Sequence, residues 1–167
     1  PPCHNYNYGL ANDNRFTVNS GAHVILNENL FGGFDNYPYA TTTVEDNADL
    51  VIKDNYGVGV NNGNNYPSQG YINDRDAIAT LNIRSGLITE NNKKTQMPYR
   101  GIGYIPVSSL EYGGGICNRY GDVTISSAVK IYNNAAATAG DDLYNYKNDG
   151  AAVPNNFTIT VVPGANG

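Results

Sequence analysis

Apolar and polar positions alternate through four stretches of the chain, Phe16–Asn29, Thr43–Asn55, Thr80–Asn92 and Val123–Asn134. Each reads as a short β run, a small or polar corner, a second β run and then Asn. The apolar members are Val18, Val24, Leu26, Val44, Leu50, Ile52, Leu81, Ile83, Leu87, Ile125, Val129 and Ile131. They fit a period of two better than one of 3.6, so they are expected to point inward from strands. Taking Val24, Leu50, Leu87 and Val129 as equivalent, the repeats are spaced by 26, 37 and 42 residues. Such uneven spacing suits a solenoid whose turns carry loops of different length.

A third element recurs between these pairs: Phe31–Asn36, Tyr56–Asn61 and Tyr112–Asn118, each holding a Gly cluster and ending in Asn. Glycine is costly in a strand unless the backbone bends or is closely approached, so each cluster is expected to form a sharp corner. Three β elements per turn predict a parallel β-helix. With those anchors, Asn29, Asn55, Asn92 and Asn134 fall five residues on in every repeat. They are expected to form a corner ladder, because Asn tolerates the left-handed conformation and stacked amides hydrogen-bond along a stack. Ala79–Arg84 alternates and reads as a strand, while 61–76 and 92–106 read as irregular loops.

Composition supports this. Of 167 residues, 26 are Asn, 19 Gly and 14 Tyr, with no Trp. Helix formers are scarce, which argues against bundles and coiled coils. No apolar run is long enough for a membrane span. A formal charge of −5 without a basic cluster argues against nucleic acid and anionic lipid as partners. The expectation is one all-β domain: an extended N-terminal arm at 1–15, a β-helix at 16–162 and a tail at 163–167. The opening Pro1-Pro2-Cys3 fits a mature secreted chain after signal removal.

The segment Gly113-Gly-Gly-Ile-Cys-Asn118, followed by Gly121–Ala137 and Asp141-Asp-Leu-Tyr-Asn145, resembles the repeats of bacterial surface proteins with a right-handed parallel β-helix. These include polymorphic outer-membrane-protein-like and pectate-lyase-like adhesin regions. The match is close over about residues 112–146 and looser over 16–92. The resemblance implies the fold, its right hand and a cell-surface or extracellular setting. It does not imply one activity, since the same solenoid carries adhesins, stalks and lyases. Cys117 stands where the repeat usually has Tyr, on the wall if alternation from Ile116 holds. Cys3 lies in a Tyr- and Asn-rich arm. A disulfide either joins Cys3 to Cys117 within the chain or links two subunits.

Catalytic signals are weak. His4 and His23 lack partner motifs, and no Gly-x-Ser-x-Gly elbow is present. No catalytic residue and no resident metal or other cofactor is expected. Calcium is the one ion that the clusters Glu45-Asp46 with Asp49, Asp74 with Asp76, and Asp141-Asp142 with Asp149 suit, although turn capping accounts for each. The expected function is a secreted structural subunit that polymerises with itself, its strand edges paired by terminal arms bearing Tyr6, Tyr8, Phe157, Ile159 and Val161. The alternative is an adhesin or glycan-binding module facing glycans or another cell surface; a polysaccharide lyase ranks third.

Overall fold

Short β-branched and aliphatic runs bounded by Asn, Gly and Asp make strands of three to six residues. In this computed structural model the described residues are 8–63, 78–92, 96–98, 104–106, 113–119, 121–137, 139–145 and 158–164. The first coil holds β1 (Tyr8–Asn12), β2 (Arg15–Val18) and β3 (His23–Asn27). The second holds β4 (Gly32–Asn36), β5 (Thr41–Val44) and β6 (Asp49–Lys53), and the third β7 (Val58–Asn62), β8 (Ala79–Ile83) and β9 (Leu87–Thr89). β10 (Gln96–Pro98) and β11 (Tyr104–Pro106) pair antiparallel. The fourth coil holds β12 (Ile116–Asn118), β13 (Gly121–Ser126) and β14 (Lys130–Tyr132); β15 (Leu143–Asn145) and β16 (Ile159–Val162) form the last.

Strands stack in three open parallel sheets: β1-β4-β7-β12-β15 (sheet A), β2-β5-β8-β13-β16 (sheet B) and β3-β6-β9-β14 (sheet C). The chain visits A, B and C in turn and begins again. The fold is therefore all-β, parallel and solenoid-like, with no helix among the described residues.

Inward side chains stack as columns along the coils. One is Leu10–Phe34–Val60–Ile116–Leu143, another Val18–Val44–Ile83–Ile125–Val161, and a third Leu26–Ile52–Ile88–Ile131. Their middle members are buried to 4% exposure or less. Each such side chain contributes about 1.5–3 kcal/mol by leaving water.

Three expectations are corrected. Two of the Gly clusters are not corners, since Gly32–Asn36 and Val58–Asn62 are strands of sheet A; in the third the chain does bend, at Gly114 and Gly115 after a left-handed Gly113 with φ 70°, before entering β12. Their missing side chains leave room for a neighbouring coil, as shown below. The first 15 residues are not all arm, because Tyr8 opens β1, whose Leu10 and Ala11 pair with Phe34 and Asp35. The stretch 92–106 is not wholly irregular, since β10 and β11 lie within it. Among the described residues β10 and β11 pair only with each other, and a two-stranded ribbon tolerates proline at its edges.

Candidate functional site

An asparagine ladder runs where sheet C turns back to sheet A. The Nδ2 of Asn29 donates to Asn55 Oδ1, that of Asn55 to Asn91 Oδ1, and that of Asn91 to Asn134 Oδ1, each at 2.8 Å. The backbone N–H of Asn29, Asn55 and Asn91 donates to the same three oxygens. Asp142 ends the run, its Oδ1 accepting from both N and Nδ2 of Asn134. The residue before each ladder Asn is left-handed: Glu28, Asp54, Glu90 and Asn133, with φ between 54° and 62°. That kink turns the following side chain inward, where its polar atoms are satisfied by the next coil.

Asn92, expected in this ladder, stands beside it, and Asn91 takes the place. The expectation equated Leu87 with Leu50, but Leu87 pairs with Val51 and Lys130. Gly86 takes the position facing Leu50; its φ of +138° and its closeness to Leu50 O leave no room for an apolar side chain there. Asn92 Nδ2 instead donates to Ala135 O.

A second ladder, not foreseen, closes sheet A: Asn12, Asn36, Asn62, Asn118 and Asn145, each Nδ2 donating to the next Oδ1 at 2.7–3.0 Å. Asn36 and Asn118, which end two of the Gly-rich elements, carried that signal; in the third the ladder takes Asn62, one residue past the expected end at Asn61. All the amides in both ladders point the same way along the coils, so the stack has a direction. Gly9, Gly33, Gly59 and Gly115 lie against the first ladder. A β-carbon on them would come within 2.5–2.9 Å of the amide nitrogens of Asn29, Asn55, Asn91 and Asn134 respectively.

Cys117 is not an accessible wall thiol. It faces outward in register with Asn61 and Tyr144, yet it is 1% exposed and its thiol is free. Burial raises its pKa; the charge of Arg119 and a hydrogen bond from it work the other way. Neighbouring Asp35 is also fully buried and accepts from Asn61 Nδ2 at 3.0 Å, while Asn61 Oδ1 has no partner among the described residues. Cys3, Tyr6 and Phe157 lie outside the described residues. Ile159 and Val161 are not a free arm: β16 docks on β13 of its own chain. Ile159 packs on the core, while Val161 is 65% exposed.

Of the expected acidic clusters, Asp74, Asp76 and Asp149 lie outside the described residues, and the others go separate ways. Glu45 accepts from Ser20 N, Asp46 pairs with Arg84 at 3.4 Å, and Asp49 meets His23 Nδ1 at 2.6 Å. Asp141 accepts from Ala136 N. Among the described residues no three His, Cys, Asp or Glu side chains gather as a metal site. No described helix is long and apolar enough to cross a membrane.

The outer face of sheet B has its own chemistry. Its two columns are Arg15–Thr41–Thr80–Asp122 and Thr17–Thr43–Asn82–Thr124–Thr160. A groove of about 450 Å³ crosses the second, between the Asp46–Arg84 pair and Val162-Pro163.

Comparison with protein-family models, curated proteins and solved structures finds no match.

Proposed function

We propose that the chain is a non-enzymatic structural unit of the cell surface or extracellular space. In this reading it is a right-handed parallel β-helix that stacks head to tail on copies of itself. The right hand follows the general preference for parallel strands joined by a crossover, here β1 through β2 and β3 to β4.

The observation that carries the reading is the last coil. Leu143 and Val161 continue inward columns, yet they are 38% and 65% exposed. Inside the chain the same columns are covered by the next coil. The first coil offers Leu10 and Phe16, both half-buried, at the positions that match Leu143 and Ile159. A second copy set on the last coil would place Leu10 over Leu143 and Val18 over Val161. It would also repeat the coil-on-coil contact already made four times along sheet B. The uniform direction of both Asn ladders supports head-to-tail stacking over head-to-head. Contacts of this kind do not close, so they give filaments.

Sedimentation velocity over a concentration series tests this. Wild type is expected to grow in mass with concentration, and Val161→Glu to stay a folded monomer by circular dichroism. A wild type that stays monomeric at all concentrations would overturn the reading.

A further inference from the structure

Seven of the chain's eleven threonines, Thr17, Thr41, Thr43, Thr80, Thr124, Thr158 and Thr160, fall on or just before the outward positions of sheet B. Strand propensity does not explain this. The outward positions of sheet C are equally extended and hold His23, Ile25, Asn27, Asp49, Val51, Lys53, Leu87, Thr89, Lys130 and Tyr132, a single threonine among them. The threonines thus mark a face, and the groove of about 450 Å³ lies on that face.

We propose that this groove is a binding site for a linear neutral polysaccharide lying along the coil axis. The rungs present Thr43, Asn82 and Thr124 about 4.8 Å apart, a comb of hydroxyl and amide groups facing solvent. Threonine is stiff about χ1, so the comb is ordered before any ligand arrives, which lowers the entropy cost of binding. Threonine methyls with Val162 and Pro163 offer apolar surface to the C–H face of a sugar ring. Charge selects the class. Arg84 and Asp46 neutralise each other across 3.4 Å, and among the described residues no other charged side chain lines the groove. An anionic polymer finds no unpaired cation there, and a neutral polyhydroxylated chain matches the lining.

An extended peptide fits less well. β8 and β13 are hydrogen-bonded on both edges within sheet B, so the groove floor offers no open edge for strand addition. The site uses a lateral face and stands or falls independently of end-to-end stacking.

The test is amide chemical-shift mapping of the full chain, titrated separately with cellotetraose, xylotetraose, maltotetraose and chitotetraose. At least one is expected to give saturable shifts centred on Thr43, Asn82, Arg84 and Thr124. Thr124→Val, which keeps shape and strand preference, and Asn82→Ala are each expected to weaken that binding about tenfold. No shift with any of the four, shifts centred elsewhere, or binding unchanged in both variants would overturn the proposal.

Discussion

Gly59 and Asn91 sit so close that a β-carbon on the glycine would stand 2.9 Å from the asparagine Nδ2 and 2.6 Å from Gly115 O. The backbone of one coil thus approaches the amide ladder nearer than any side chain permits. Gly59→Ala is expected to destabilise by about 1–3 kcal/mol, the usual cost of overpacking a filled site. Gly21 is the control, since a β-carbon there meets nothing within 4 Å. With its φ of +79°, Gly21→Ala carries only the conformational cost of about 1–2 kcal/mol. Urea midpoints of the two variants check the order.

The ladder asparagines make a sharper prediction. Asn55→Ala removes the acceptor used by both N and Nδ2 of Asn29, in a place with no solvent exposure. Buried donors left unpaired cost about 1–3 kcal/mol each, so a loss of at least about 2 kcal/mol is expected. Asn92→Ala, one residue off the ladder, is expected to cost less than Asn91→Ala. Equal losses at 91 and 92 would contradict the register given above.

Asp54 holds φ at 54° just before Asn55. Asp54→Gly, which adopts that conformation freely, is expected to change stability by less than about 1 kcal/mol. Asp54→Val is expected to cost about 1–2 kcal/mol, because a β-branched residue resists the left-handed region. Thermal melts of the two variants decide it.

Cys117 predicts both a reactivity and a pH dependence. Its burial predicts slow labelling by a thiol reagent until the chain unfolds. Burial raises its pKa in the fold, against the lowering effects of Arg119. Its contribution to stability is therefore complete below the unfolded value of about 8.5, and is lost as pH rises through the folded value. Between pH 8 and 10, wild type is expected to lose more stability than Cys117→Ala. Parallel curves would contradict this.

The all-β, parallel character was legible because period-two alternation and the recurring Asn report on strands and corners directly. Register was less so. Gly86 occupies a position that Leu50 fills one coil earlier, so aligning aliphatic residues shifted one repeat by a residue and named Asn92 for Asn91. Two of the three Gly clusters were misread because a glycine that bends the chain, like those at 113–115, and one that admits a neighbour look alike in sequence. Gly33 is recognisable only once Asn55 and Ile52 are seen against it. The threonine face escaped because Thr17, Thr43 and Thr124 are far apart in sequence and meet only through coil pairing. Burial of Cys117 was not legible either, since alternation says which way a side chain points and not what covers that face.

The central claim, head-to-tail stacking through the last coil, is tested most directly by negative-stain electron microscopy of the unreduced protein at micromolar concentration. The account predicts thin unbranched filaments from wild type and dispersed particles from Val161→Glu. Dispersed particles from wild type, or filaments unchanged by Val161→Glu, would contradict it.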